Sequence, residues 1–256
     1  MFSSNQPDIL KPKKAPQQII TKIRSAILTE KLTEGERLPT EPELMRHFGV
    51  SRQTIREALC ALESMGLLTV RAGLHGGAYV RTVDAGTAQA GLSNFLFGKD
   101  FSINNITEVR LALEPYAARV AAVQMNDAAK KDLRALVVKC REAIARQEDI
   151  GKLRRSEVAF HELIMAATEN PILMLLHQFS EHLLWNVKTK LKTQSEFSLQ
   201  VLAAHEKILA AIEESDADKA EQYMRDDILQ VEQSLVRIAD EQIRISLLEP
   251  EGMPAV

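Results

Sequence analysis

The chain has little cysteine and no long apolar run, and each shortage excludes a class of protein. Its two cysteines, Cys60 and Cys140, lie far apart in 256 residues. That pattern favours free thiols in a reducing compartment over a disulfide framework. No apolar run reaches the roughly 18 residues of a membrane span, and the first residues lack the apolar stretch of a secretory signal. The sequence therefore predicts a cytoplasmic protein with no membrane partner.

Charge is spread unevenly along the chain. Residues 1–82 hold 12 Lys and Arg against 8 Asp and Glu, whereas residues 83–256 hold 20 against 27, within a net charge of −3. A basic head on an acidic body suits a head that contacts phosphates. A chain of this length supports one large or two ordinary domains.

Residues 35–66, GERLPTEPELMRHFGVSRQTIREALCALESMG, predict two short helices joined by a tight turn. Thr40 followed by Glu43 is a capping box, which places a helix start at Thr40. Gly49 can take the left-handed conformation that ends this helix. Ser51 then caps the second helix. This is the layout of a helix-turn-helix DNA reader, in which the second helix enters the major groove.

The second helix has two distinct faces. A buried face is predicted from apolar residues at i, i+3, i+4 and i+7, namely Ile55, Ala58, Leu59 and Leu62. Gln53, Arg56 and Cys60 point the opposite way, and Arg52 lies in the first turn. The alternative interpretation is an ordinary helical pair with solvated arginines.

A short hairpin is predicted after the second helix. Residues 67–70 (LLTV) and 78–81 (AYVR) have strand composition and flank a glycine-rich turn, Gly73 to Gly77. The tip, His75 and Gly76, is thin enough for its backbone to approach DNA closely. The hairpin makes the unit a winged helix-turn-helix.

The pattern G-x-x-LPTE-x-EL…FGVSR-x-TIREAL…L-x-x-x-GLL…G-G-A-Y-V resembles the N-terminal domain of GntR-type bacterial transcription regulators over roughly residues 13–82. The resemblance implies operator contacts from Ser51, Arg52, Thr54, Arg56 and the wing around Gly76, to which Gln53 and His75 are added as neighbours on the same surfaces. Many members have an arginine where this chain has Pro42, so that contact is not carried over.

The predicted fold class is mainly α. We expect a flexible segment at 1–12, the winged helix-turn-helix at 13–82, a linker at 83–90, an all-α antiparallel helical bundle at 91–245 and a tail at 246–256. Helical periodicity recurs at about 84–97, 105–125, 127–148, 150–168, 171–191, 195–214 and 216–244, with no convincing strand after residue 84.

Four residues of the bundle could hold a metal ion. Glu157 and His161 are four apart, which puts a carboxylate and an imidazole on one helix face. His205 and Asp227 lie on later helices and could converge with them. Such a set suits zinc, nickel or manganese. The alternative is an ordinary surface Glu–His pair.

Residues 90–240 resemble the FadR-type C-terminal ligand-binding domain of GntR regulators, the FCD domain. The resemblance is carried by VRLALEPYAARVAA, E-x-x-FH, H-x-x-I-x-x-AI and MRDDI in that order. Metal-containing members supply an Asp, a His four residues on and two later histidines. By position these fall on Glu157, His161, His205 and Asp227, so the chain departs twice, with Glu at 157 and Asp at 227.

Arg110 has two interpretations. It lies four residues before Glu114, which permits an ordinary helical salt bridge. The resemblance implies instead that Arg110 faces the pocket and binds the carboxylate of an organic acid, for which a guanidinium fork is well shaped.

Together these features predict a transcriptional regulator, not an enzyme. We expect a repressor of the GntR family, FadR-type, that binds double-stranded operator DNA as a homodimer and responds to a small carboxylate effector bound with a divalent metal. Two alternatives are a metal-free regulator that senses acyl-CoA or lipid and a helical metalloenzyme.

Overall fold

The computed structural model describes residues 14–29, 31–73, 76–82, 85–96, 98–191 and 195–239. Within them the chain forms ten helices and one two-stranded sheet, which confirms the predicted fold class. The elements are α1 Ala15–Leu28, α2 Glu41–Phe48, α3 Arg52–Ser64, β1 Leu68–Arg71, β2 Gly77–Val80, α4 Ala85–Leu96, α5 Ile103–Gln124, α6 Asp127–Ala145, α7 Ile150–Ala166, α8 Pro171–Lys190, α9 Ser195–Glu213 and α10 Ala217–Ile238.

The chain divides into two compact units, Met1–Gly91 and Leu92–Val256. Helix α4 begins at Ala85, so residues 85–90 of the predicted linker are helical. The boundaries of the two functional domains stay a prediction. The expected flexible segment at 1–12 and the tail at 246–256 lie outside the described residues.

Local capping signals set the helix ends in the first unit. The Glu43 carboxylate accepts hydrogen bonds from the backbone N–H and the hydroxyl of Thr40, both at 2.7 Å. Gly49 ends α2 with a φ of 65°. The Ser51 hydroxyl accepts from the Thr54 N–H at 3.2 Å and so caps α3. These bonds satisfy backbone groups that the first turn of a helix leaves without partners.

The core of the first unit joins α1, α2 and α3. Ile19 and Ile23 from α1, Phe48 from α2, and Ile55 and Leu62 from α3 are fully buried together. The buried residues of α3 are those that the apolar spacing predicts, which leaves the opposite face of α3 toward solvent.

The wing is an antiparallel pair in which Leu68 lies opposite Val80 and Arg71 opposite Gly77. The segment 35–38 pairs along the other edge of β2, because the Leu38 N–H donates to the Ala78 carbonyl at 2.8 Å and the Val80 N–H donates to the Glu36 carbonyl at 2.9 Å. The sequence predicts only a connection there. This third segment ties the wing to the start of α2.

In the second unit α5 packs against α7, α8, α9 and α10. Its buried face is built mainly from alanines, namely Ala117, Ala118, Ala121 and Ala122. Small side chains allow the neighbouring helices to approach closely. Their larger residues, such as Phe160, Ile208 and Met224, fill the space. Nearer the start of α5, the polar residues Arg110 and Glu114 are buried as well.

Candidate functional site

The exposed face of α3 carries two arginines held by one carboxylate. The side chains of Arg52 and Arg56 are each 70% exposed. Arg52 Nε donates to Glu41 Oε2 at 2.6 Å, and Arg56 Nε lies 3.8 Å from Glu41 Oε1. Glu41 belongs to α2, so it places a negative charge from a second helix beside both guanidinium groups at the start of α3. Exposed ion pairs of this kind contribute little stability, so the arginines remain able to exchange partners.

The other predicted residues of α3 lie beside them. Ser51 and Thr54 share a hydrogen bond between their hydroxyls at 2.9 Å at the helix start. Gln53 is exposed and donates from Nε2 to Glu57 at 3.1 Å. The structure therefore brings the five predicted residues to the N-cap and the first turns of one helix, with Ser51 as the cap of α3 and Arg52, Gln53, Thr54 and Arg56 within it.

The wing turn is held by an arginine that sequence reasoning missed. Arg37 Nη2 donates to the Gly76 carbonyl at 2.6 Å, and the Gly76 N–H donates to the Gly73 carbonyl at 2.8 Å. A Cβ at Gly76 would lie 2.5 Å from the Arg71 carbonyl oxygen, so only glycine fits. His75 lies outside the described residues, and its contact with DNA stays a prediction.

In the second unit, His161, His205 and Asp227 come together from α7, α9 and α10. His161 Nε2 lies 3.1 Å from His205 Nε2 and 3.6 Å from Asp227 Oδ2. All three side chains are buried, and their ligand atoms lie within 4.8 Å of one another. The His205 ring stacks on Phe160 with centroids 4.0 Å apart, which fixes its orientation.

The electrostatics of this cluster favour a cation. Neither carboxylate oxygen of Asp227 has a hydrogen-bond partner among the described residues. Burial raises the pKa of Asp227, since the charged form loses its hydration. Burial, and then the neighbouring His161, hold the pKa of His205 well below its usual range, so this imidazole is neutral and offers a lone pair. A buried carboxylate without donors and two facing imidazoles fit a divalent ion.

Glu157, the fourth predicted ligand, is paired with a lysine. Its Oε2 accepts from Lys188 Nζ at 3.0 Å, and both side chains are buried. It does not belong to the cluster of His161, His205 and Asp227.

Arg110 makes the salt bridge that its spacing permits. Its Nε and Nη2 donate to the two oxygens of Glu114 at 2.7 and 3.0 Å, and its Nε lies 3.1 Å from Glu181 Oε1. Burial alone would raise the pKa of Glu114, but Arg110 and then His161 outweigh it and hold that pKa well below its usual range. A direct bond from Arg110 to an effector stays a prediction.

Glu114 also connects Arg110 to the cluster of His161, His205 and Asp227, because its Oε2 lies 2.9 Å from His161 Nδ1. A carboxylate beside Nδ1 leaves Nε2 of that histidine for a metal. A cavity of about 400 Å³ between α9 and α10 is lined partly by Lys207, Tyr223 and Asp227. It offers space for a small polar molecule next to one residue of the cluster.

Two family patterns match this chain. The pattern described as "Bacterial regulatory proteins, gntR family" matches residues 15–80, and the FCD domain matches residues 105–230. The HTH-type transcriptional repressor NanR of Salmonella schwarzengrund is 31% identical over 226 residues, which cover 83% of this chain and 81% of that protein. The chain belongs to the GntR family of bacterial regulatory proteins.

The chain is also similar to a second regulator and to a solved structure. The uncharacterized HTH-type transcriptional regulator Rv0494 of Mycobacterium tuberculosis is 30% identical over 184 residues, 70% of this chain and 73% of that protein. A solved structure of Streptococcus agalactiae GntR aligns with a TM-score of 0.60 and 25% identity, covering 86% of this chain and 99% of that one. The chain is thus a transcriptional regulator of the GntR and FCD type and not an enzyme.

Sequence reasoning missed Arg37, Glu41 and Lys188, and it gave Glu114 only as the salt-bridge partner of Arg110. The three missed residues contact their partners across elements, which spacing along one helix does not predict. In the described part of the chain, no helix is long and apolar enough to cross a membrane.

Proposed function

We propose that this regulator is a cytoplasmic repressor that binds operator DNA through α3 and the wing and releases it when a small carboxylate binds near His161, His205 and Asp227. The observation that carries the proposal is that one chain has both an exposed helix face bearing two arginines and, in its other unit, a buried cluster of groups that can bind a metal. Repression is supported by the printed name of the Salmonella relative.

The DNA-binding part rests on Arg52 and Arg56. Guanidinium groups at the first turns of a groove-inserting helix can bind guanine edges and phosphates. Glu41 holds them in position before DNA arrives, and phosphates or bases then compete for the same donors. Arg56, on the outward face, is the better placed to read a base.

The first prediction is that Arg56→Ala weakens operator binding by about 1–3 kcal/mol, the value of one bidentate base contact. Arg52→Ala weakens it as well. Binding is measured by fluorescence anisotropy on fragments from upstream of the protein's own gene at low ionic strength. Arg141→Ala is the matched control, because this exposed arginine pairs with Glu206 in the second unit. Unchanged affinity in both α3 variants would mean that another surface meets DNA.

The effector part rests on the metal cluster. Two imidazoles and one carboxylate are ligands of borderline divalent ions such as zinc, nickel and manganese. An ion held there would supply positions for the carboxylate oxygens of an organic acid. Contacts within the chain orient the two imidazole rings, because Phe160 packs on His205 and Glu114 lies against His161. The effector can act only by binding one arrangement of the protein better than another.

The second prediction concerns the metal. A His161→Ala/His205→Ala variant should contain much less divalent metal than the unsubstituted protein, because it loses two of the three converging ligand atoms. Elemental analysis after purification measures this. His182→Ala is the control, since this histidine lies on α8 next to Asn186. Equal metal content in all three proteins would remove the metal from the proposal.

We also propose a homodimer in which the outer face of α5 packs against a second copy. Val109, Tyr116 and Val123 are 43%, 53% and 68% exposed and are spaced by seven residues. Leu113 and Val120 lie between them on the same stripe and are partly exposed. Apolar residues with this heptad spacing are typical of helices that pair along their length.

A further inference from the structure

Lys188 is a buried cation that is paired with one carboxylate in the part of the chain that the structure describes. Its side chain comes from α8 and is 9% exposed, and its Nζ donates to Glu157 Oε2 at 3.0 Å. The ammonium also lies 5.4 Å from the centroid of the Phe197 ring. Water has little access to this charge, so the interaction with Glu157 compensates for its lost hydration.

The contact with Lys188 opposes the use of Glu157 as a metal ligand. The other oxygen of Glu157, Oε1, is buried without a hydrogen-bond partner, but Glu157 is not part of the group in which His161, His205 and Asp227 converge. A turn of the side chain that brought it into this group would weaken the contact of Oε2 with the buried ammonium. Breaking one side of a buried ion pair is strongly unfavourable. Asp227 has no comparable contact to lose, because neither of its oxygens has a hydrogen-bond partner among the described residues. Of the two predicted carboxylates, Asp227 lies within the cluster and has both oxygens without a hydrogen-bond partner, whereas Glu157 lies outside it and has one oxygen bonded to Lys188.

We infer that Lys188 keeps Glu157 out of the metal set, so that the ion is held by three protein ligands, His161, His205 and Asp227. This inference rests on the proposed metal site. Three ligands leave more positions for the effector than four would.

The test uses Zn²⁺ alone, titrated into metal-free full-length protein in competition with a chromophoric chelator. Glu157→Gln keeps an oxygen that accepts from Lys188, and it should bind Zn²⁺ within about threefold of the unsubstituted protein. Asp227→Asn should bind at least ~100-fold more weakly, since loss of a ligand costs more than the 10–100-fold of an outer-shell change. Circular dichroism checks that both variants are folded.

A second pair of variants tests the role of Lys188 itself. Lys188→Met frees Glu157 beside His161, so Zn²⁺ affinity should rise about tenfold, within the range by which neighbouring groups tune metal sites. Adding Glu157→Gln to Lys188→Met should abolish the gain. The absorption spectrum of bound Co²⁺ should change in Lys188→Met and not in Glu157→Gln, because coordination changes only in the former.

The outcomes separate the inference from the proposed function. Weak Zn²⁺ binding in Glu157→Gln, as severe as in Asp227→Asn, would make Glu157 a ligand and overturn the role of Lys188, while the metal site would stand. Should the unsubstituted protein bind no Zn²⁺ or Co²⁺, the metal part of the proposed function would fail and this inference with it. Retained binding in Glu157→Gln with loss in Asp227→Asn supports the three-ligand site.

Discussion

Cys60 and Cys140 lie in opposite surroundings, and their reactivities should differ accordingly. Cys60 is exposed on α3, on the same side as Arg56, whereas Cys140 is buried in α6. Burial, followed by the nearby Glu157 and Glu206, raises the pKa of the Cys140 thiol to about 11. Because the thiolate is the reactive form, Cys140 is protected both by its pKa and by its packing.

The third prediction is that a thiol reagent at pH 8 modifies one cysteine in the folded protein and two after denaturation. Bound operator DNA should slow the modification, because α3 then faces the groove. Mass spectrometry identifies the modified residue, and Cys60→Ser serves as the control that removes the fast reaction. Rapid labelling of Cys140 in the native state, or labelling of Cys60 that DNA does not affect, would contradict this description.

At the scale of single residues, the sequence predicts what helical spacing determines and little more. The order of motifs shared with the FCD domain implies that His205 and Asp227 belong with His161, and the structure brings the three together. The partner of Glu157 does not follow, since Lys188 lies 31 residues away on another helix. Spacing along a helix predicts which residues share a face. It does not predict which buried charge on another helix each of them contacts.

Among the elements, the wing depends most on a single backbone position. At Gly76 an added Cβ would lie 2.5 Å from the Arg71 carbonyl oxygen and 2.8 Å from that of Gly73. Both contacts are with backbone atoms, which cannot rotate away. The turn would have to open, and the hydrogen bond from Arg37 to the Gly76 carbonyl would be disturbed.

The fourth prediction is that Gly76→Ala lowers operator affinity and destabilises the folded state by about 1–3 kcal/mol, the usual range for a strained substitution. Anisotropy and urea denaturation measure the two effects. Gly91→Ala is the control, because Gly91 is helical and nothing lies within 4 Å of its added Cβ. It should leave DNA binding intact and stabilise α4 by roughly 0.5–1 kcal/mol. Equal behaviour of the two variants would argue against a special role for the wing tip.

Helix ends were predictable because their causes are local. The capping pair of Thr40 and Glu43, the left-handed Gly49 and the cap at Ser51 all act within four residues. The pairing of segment 35–38 with β2 was not predictable, because its hydrogen bonds join residues about 40 positions apart. The same holds for Glu41, whose contact with Arg52 spans two helices.

At the scale of the whole molecule, the uneven charge of the sequence bears on how DNA binding responds to salt. The excess of basic residues in positions 1–82 is small, 12 against 8 acidic residues. Operator affinity should still fall with rising salt, because the arginines displace counterions from phosphates. Because the DNA-binding unit has so small an excess of positive charge, its operator affinity would rise considerably in a dimer, since the second DNA-binding unit then binds at a high effective concentration. In the proposed homodimer, assembly would therefore contribute to operator affinity.

The fifth prediction is that a Tyr116→Glu/Val123→Glu variant is monomeric in light scattering and binds operator more weakly, although its α3 surface is unchanged. Two like charges placed on a self-complementary stripe would face their copies across a two-fold axis, where repulsion and desolvation oppose pairing. Val138→Glu is the control, because this partly exposed valine lies on α6 and not on the α5 stripe. A double variant that stays dimeric would place the dimer interface elsewhere on the chain. A monomer that binds operator at full strength would show instead that one head suffices, and the role of the second copy would then be limited to the effector unit.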